Sequence, residues 1–539
     1  MKNKPYPYYN VGDYCTLSEF MTYIREKNST KIAVKYIKNK QKIEKTYDEM
    51  VDEIEALARK INSLDLIDKN IAVLGENSYE WVLSYMAITV SKNTVVPIDK
   101  DLEISEVLNL LKEADVDLIF YSNTYSDYGD TIKKEINGIK VVSFDEMDNY
   151  IEDGKKLDRE LPKVTPQKNA TIIFTSGTTG KPKGVLLSHQ NLCEDIKRSS
   201  MQLLITGDSL LVLPLHHTFP LMANVLCMFN IGYAISIPNS LKKVDKLLQE
   251  SKPATMFLVP LLVEAFYNKI WKNIKQTKKT VLVKTMICIS NMLLALGIDV
   301  RRKVFKSVID AFGGNLNLIV SGGAALDPKY VKGFRNFGIE VLNGYGITEC
   351  SPIVSVNRNK YNRDGSVGTA LSGIDIKIEQ YENSREGEIL VKGPIVMQGY
   401  YKNSELTKEV MSEDYFRTGD IGYLDDDGFL YITGRKKNVI ILDNGKNVYP
   451  EELEEILLHN SLIKEVLVYE KDGKIVATIY PDFEEISDLE KVKSTLEKII
   501  EEFNKKMPYY KKISQFFIRE NEFEKTTTKK IKRSIENVR

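Results

Sequence analysis

Ile173-Phe-Thr-Ser-Gly-Thr-Thr-Gly-Lys-Pro-Lys-Gly-Val185 is the stretch whose reading decides the fold. It continues an apolar run, Ala170 to Phe174, and leads into Val185-Leu-Leu187, so it predicts a strand, a tight loop and a second strand. Gly177, Gly180 and Gly184 let the backbone turn where a side chain would clash and bring its N–H groups close to a ligand. Thr175, Ser176, Thr178 and Thr179 add hydroxyl donors, and Lys181 and Lys183 add positive charge. A plain hairpin turn would explain the glycines but not the hydroxyls and cations, which suit a chain of phosphates. The ordinary P-loop is excluded by spacing. It needs Gly, four residues, then Gly-Lys-Ser/Thr, whereas Pro182 and Val185 stand five places beyond Gly177 and Gly180.

Around this stretch, 539 residues are too many for one core, so at least two domains are expected. With 75 basic and 75 acidic residues the net charge is zero, which argues against a dedicated nucleic-acid binder. Cys15, Cys193, Cys227, Cys288 and Cys350 form no C-x-x-C pair, so neither a zinc site nor a disulfide framework is expected. A reducing cytoplasm fits that usage. The first nine residues lack the apolar core of a signal peptide, and no apolar run reaches the length of a spanning helix. The expected location is the cytoplasm, with peripheral contact at the inner face of the membrane as the alternative.

Residues 11 to 165 alternate helical and strand patterns: helices at Tyr47–Leu64, Ser78–Val90 and Ser105–Ala114, strands at Asn70–Leu74, Thr94–Ile98 and Asp117–Tyr121. Such alternation predicts an α/β fold with a largely parallel sheet covered by helices. Beyond the loop, a strand ending at Pro214 puts His216 and His217 on the following turn, ahead of Phe219. Residues 263–312 form a helical tract whose middle, Thr285 to Ile298, is almost wholly apolar and flanked by lysines and arginines. That is too short to span a bilayer; a helical hairpin packed on the domain or an interfacial segment in contact with a membrane is expected.

Thr175-Ser-Gly-Thr-Thr-Gly-Lys-Pro-Lys-Gly184 resembles the signature of the AMP-forming acyl-activating family, and further motifs follow in that family's order. Ser321-Gly-Gly-Ala-Ala325 and Asn343-Gly-Tyr-Gly-Ile-Thr-Glu349 are similar to its adenine-binding motifs, implying contacts from Gly322, Gly323, Ala324, Asn343, Gly344, Tyr345 and Gly346. Glycines at strand ends leave a gap for a flat base, and Tyr345 can stack on it. The resemblance further implies that Thr348 contacts phosphate and that Glu349, with Thr175, holds a magnesium ion. A hard cation bridging phosphates takes only one or two carboxylates. Asp420, in Thr418-Gly-Asp420, matches the residue that takes both ribose hydroxyls, assisted by Arg435. His217 is implied at the substrate carboxylate, with His216 and Phe219 in the acyl pocket.

The fold implied is a large N-terminal domain of sheets flanked by helices, residues 1–435, plus a small mobile α+β C-terminal domain, residues 436–539, hinged near Lys437. The small domain reads as helices at Pro450–His459 and Ser487–Asn504 and strands at Glu465–Tyr469, Lys474–Tyr480 and Gln515–Arg519. Its tail, Glu524-Lys-Thr-Thr-Thr-Lys-Lys530, aligns Lys530 with the catalytic lysine, Lys529 being the rival, although Glu524 and Lys529 depart from the family's proline and glycine. The implied reaction consumes ATP and coenzyme A: a carboxylate forms an acyl-adenylate, then a thiol displaces AMP. The His-His-Thr-Phe run and the helical tract look most like long-chain fatty acyl-CoA synthetases. Alternatives are loading of an acyl carrier protein, an aryl-CoA ligase, or a catalytically silent nucleotide-dependent binding protein.

Overall fold

Asn169–Thr175 and Lys183–Ser188 pair as antiparallel strands with Thr175 opposite Lys183. The computed structural model describes residues 4–175, 182–382, 384–442, 447–460, 462–471, 473–483, 488–525 and 531–533. Ser176, Gly177, Thr178, Thr179, Gly180, Lys181, Lys529 and Lys530 lie outside them. The hairpin joins a seven-stranded sheet in the order Gly399–Tyr400, Lys183–Ser188, Asn169–Thr175, Thr94–Ile98, Asn70–Leu74, Val116–Tyr121, Lys140–Ser143. The four neighbouring pairs from Asn169–Thr175 to Lys140–Ser143 are parallel.

The helices between those strands begin and face as their residues dictate. Tyr47–Ser63 starts from Thr46, whose hydroxyl accepts from the Glu49 N–H while the Glu49 carboxylate accepts from the Thr46 N–H. Met50, Ile54, Leu57, Ala58 and Ile61, at helical spacing, are all buried. Ser78 caps Tyr79–Val90 by accepting from the Trp81 N–H, and the fully buried Trp81 stacks on Tyr85.

A nine-stranded sheet runs Thr369–Ala370, Ile353–Val356, Glu340–Gly346, Leu318–Ser321, Thr255–Leu258, Ser209–Leu210, Ile235–Ile237, Ile32–Lys38, Gln41–Thr46. The strand expected to reach Pro214 ends at Leu210. Its neighbour Ile235–Ile237 has three residues, so the ladder runs out after the Leu211 N–H meets the Ser236 carbonyl. The 263–312 tract forms helices Pro260–Gln276, Thr280–Ala295, Arg301–Val304 and Lys306–Ala311. Val283, Met286 and Ile287 pack on the core, but Ile289, Met292, Leu296 and Ile298 are exposed, so the apolar middle is only half buried.

The chain divides into two compact units: 1–376 with 391–416 and 426–430, and 377–390 with 417–425 and 431–539. The second unit takes in most of a sheet ordered Asp375–Gln380, Gly387–Lys392, Tyr415–Leu424, Met411–Ser412, with Leu430–Arg435 paired to Tyr415–Leu424. It also holds a three-stranded sheet in which Ile463–Lys471 and Lys474–Pro481 are antiparallel and Gln515–Ile518 adds in parallel. Leu453, Val466, Val468, Val492, Leu496 and Ile500 fill the core beside it. The fold is thus α/β, with a large N-terminal part and a small α+β C-terminal part.

In the first unit, buried His189 gives a pH prediction. Its Nδ1 accepts from the Leu17 N–H at 3.2 Å, anchoring the start of helix Leu17–Asn28. Burial, and behind it Lys168, lowers the imidazole pKa to about 3. Below the unfolded value of roughly 6.5 the unfolded chain takes up a proton that the folded chain refuses. Stability from this residue is therefore present above that pH and lost as pH falls toward about 3. His189→Asn keeps an acceptor near the Nδ1 position but cannot titrate. Urea unfolding at a series of pH values between 7.5 and 4.5 is expected to show a shallower acid loss in the variant. Parallel curves would refute this.

Candidate active site

Four sequence motifs of the first unit meet through measured contacts. Lys183 Nζ lies 4.9 Å from the centre of the Tyr400 ring. The Tyr400 hydroxyl donates to Glu349 Oε1 at 2.8 Å. Glu349 is buried, and burial followed by the Glu349 charge pushes the Tyr400 phenol well above its ordinary pKa. The cation at the foot of the glycine loop and the carboxylate implied for the metal therefore meet one tyrosine, the first over its ring and the second at its hydroxyl. Thr348 Oγ1 stands 3.4 Å from Thr218 Oγ1, linking the glutamate's turn to the histidine segment.

That segment turns at Pro214, whose carbonyl accepts from the His217 N–H. His216 Nε2 lies 3.1 Å from His217 Nε2 and 3.3 Å from Asp99 Oδ1. Burial, then His217 and Lys100, lowers the His216 pKa well below the usual range, which favours the neutral imidazole beside His217 and Asp99. Half-buried Phe219 lies over Gly322, where an added Cβ would come 3.0 Å from the ring edge. Gly323 has φ +89°, and it and Ala324 are exposed.

Asn343, Gly344, Tyr345 and Gly346 end the strand Glu340–Gly346, and Asn343 is buried while the other three are half-buried. A Cβ on Gly346 would stand 2.3 Å from the Pro352 carbonyl oxygen and one on Gly344 3.1 Å from the Ser355 carbonyl oxygen. Both obstacles are backbone, which cannot swing aside. Gly346→Ala is expected to lower the thermal midpoint by several degrees and to displace Thr348 and Glu349; a melting curve matching wild type would contradict this.

The second unit carries the ribose candidates. Asp420 is buried within the strand Tyr415–Leu424, its N–H donating to Thr418 Oγ1, and its Oδ1 lies 2.6 Å from Arg435 Nε. Beside it Glu388, also buried, accepts from Arg417 at 2.8 Å and Lys436 at 2.7 Å. Lys437 is exposed in the short helix Lys436–Asn438.

Among the buried polar atoms of the first unit that have no hydrogen-bond partner are Asn343 Oδ1 and Ser321 Oγ, both in the implied base-binding motifs. An unsatisfied buried acceptor costs about 1–3 kcal/mol, so a ligand amino group at Asn343, of the kind a nucleobase offers, would relieve it. Among the described residues no group of three or more His, Cys, Asp and Glu could hold a metal alone. A single buried carboxylate such as Glu349 fits instead a magnesium ion carried mainly by phosphate and water.

Asp99, Thr218, Tyr400 and Glu388 were not singled out from the sequence. Asp99 had a signal, since it follows the parallel strand Thr94–Ile98 at its carboxyl end, where α/β sites gather. Tyr400 had none, because its partner Glu349 is 51 residues away.

The family pattern of AMP-binding enzymes matches residues 23–401, and that of the AMP-binding enzyme C-terminal domain matches 437–537. Long-chain-fatty-acid–CoA ligase FadD15 of Mycobacterium bovis is 30% identical, the match spanning 78% of this chain and 74% of that protein. The chloroplastic long-chain-fatty-acid–acyl-carrier-protein ligase AEE15 of Arabidopsis thaliana is 27% identical over 84% of this chain and 75% of its own. Among solved structures, the anthranilate CoA ligase AuaEII in complex with anthranoyl-AMP superposes with a TM-score of 0.79 at 18% identity, covering 98% of this chain and 96% of that one.

Proposed function

Because the chain belongs to the AMP-binding enzyme family, we propose that it joins a long-chain fatty acid to coenzyme A through an acyl-adenylate. A carboxylate oxygen of the acid attacks the α-phosphorus of ATP, the bond to the outer phosphates breaks and pyrophosphate leaves. The thiol of coenzyme A, giving up its proton, then attacks the acyl carbonyl, and AMP leaves. An ionised acid is already nucleophilic at pH 7, so the first half needs positioning and charge neutralisation instead of a general base.

The contact that carries this reading joins Lys183, Tyr400 and Glu349, with Tyr400 between the cation and the carboxylate. In the proposal Thr175, Ser176 to Gly180 and Lys183 hold the outer phosphates, Thr348 touches phosphate and Glu349 holds the magnesium ion with Thr175. That ion, when bound, neutralises phosphate charge. The base lies against Gly322, Gly323, Ala324 and Asn343 to Gly346; Asp420 with Arg435 takes the ribose hydroxyls; His217, set by His216, meets the carboxylate beside Phe219; Lys530 neutralises charge at the α-phosphate. Domain limits of 1–435 and 436–539 with a pivot at Lys437 belong to the same proposal, since the two half-reactions need different groups at the acyl carbonyl.

Exchange of labelled pyrophosphate into ATP, dependent on added carboxylate and greatest for long chains, is the expected result. Release of ADP in place of AMP would overturn the reading. The Arabidopsis relative named as an acyl-carrier-protein ligase favours one second reading, transfer to a carrier protein. Much faster turnover with a holo-carrier protein than with coenzyme A would select it.

A further inference from the structure

Helix Thr280–Ala295 is apolar on both sides. Val283, Met286 and Ile287 face the core. The opposite face shows Val281 (80% exposed), Leu282, Ile289, Met292 (69%) and Leu296 (76%), with Ile298 just beyond. Wound at about 3.6 residues per turn, Val281, Leu282, Ile289, Met292 and Leu296 fall within about a third of the helix circumference, one continuous outward stripe. Large exposed apolar patches rimmed by polar residues mark surfaces that something else covers.

The charge around the stripe says what covers it. Residues 265–298 contain six lysines, Lys269, Lys272, Lys275, Lys278, Lys279 and Lys284, and no aspartate or glutamate, in a chain whose net charge is zero. Lys269 is paired with Asp245; the other five are exposed and have no ion-pair partner among the described residues. Lys278 and Lys279 lead into the helix, and Lys284, three residues from Val281, flanks the stripe. Self-association through this face would press two sets of these lysines together, which like-charge repulsion opposes. An anionic surface with an apolar interior satisfies both features.

We propose that the outward face of Thr280–Ala295 is a docking surface for a membrane leaflet containing anionic lipid. The helix has 16 residues, about 24 Å long, against roughly 30 Å of bilayer hydrocarbon. No helix among the described residues is long and apolar enough to cross a membrane. The segment therefore lies in the interface, its stripe among the upper acyl chains and its lysines at the headgroups. This stands independently of the ligation reaction, because it rests on the helix alone.

The test is sedimentation of the full chain with vesicles, at low and high salt, using phosphatidylcholine alone and phosphatidylcholine mixed with phosphatidylglycerol. Binding is expected to the mixed vesicles only, and to weaken with salt. Met292→Glu combined with Leu296→Glu, both exposed and so harmless to folding, is expected to abolish it while the melting curve stays as in wild type. Lys275→Ala, Lys278→Ala and Lys279→Ala together are expected to weaken it roughly a hundredfold. No binding to the mixed vesicles at low salt would overturn the proposal, as would binding indifferent to the Met292/Leu296 variant. Lipid-free self-association abolished by that same variant would equally overturn it, assigning the face to a second copy.

Discussion

Replacing Lys530 with alanine is expected to cut adenylate formation by about two to three orders of magnitude, while thioester formation from supplied acyl-AMP stays close to wild type. Only the first half-reaction builds charge around the α-phosphorus, so only that half should feel the loss of an ammonium group placed there. The variant should not detach the tail, because the described residues on either side are anchored independently. Lys525 pairs with Glu465 and Glu522 and bridges Ile531, and Arg533 reaches Glu454 at 2.5 Å and the Val468 carbonyl at 3.0 Å. Labelled-pyrophosphate exchange and a coenzyme A assay on synthetic acyl-AMP separate the two halves. Equal loss in both would refute the assignment to Lys530, and the same split in Lys529→Ala with Lys530→Ala active would move it one residue.

Glu349→Gln is expected to lower pyrophosphate exchange by about a hundredfold or more and to raise the magnesium concentration needed for half-maximal rate. The amide keeps the shape and can still accept from Tyr400, so the loss isolates the negative charge. Tyr400→Phe removes the hydroxyl that donates to Glu349 Oε1 but leaves the ring beneath Lys183. Its expected loss is about tenfold, typical of a group that orients a ligand to a metal. A magnesium titration on both variants provides the check. Unchanged rate and unchanged magnesium dependence in the Glu349→Gln variant would remove Glu349 from the proposed metal site.

The periodic segments were legible because their burial follows spacing. Tyr47–Ser63, Asn70–Leu74 and Thr94–Ile98 fall within a residue of expectation, and in the small part Lys474–Pro481 extends the expected strand by one. Pro214 misled because a strand's length depends on its neighbour, and Ile235–Ile237 is too short to carry Ser209–Leu210 farther. The apolar run in 285–298 left two readings open for a different reason: hydrophobicity predicts that a face will be covered, not whether this chain covers it.

What the sequence determined by itself was the family, the α/β class and the candidate residue types, because glycine spacing, hydroxyls and periodicity are local properties of a chain. Only the tertiary structure decided that Asp99 stands by His216, that Tyr400 joins Lys183 to Glu349, and that Gly346 has no room for a methyl group. The first two sets of contacts join residues tens to hundreds of positions apart, and the third depends on how the chain doubles back from Gly346 to Pro352; how strands and turns stack against one another is something no local pattern encodes.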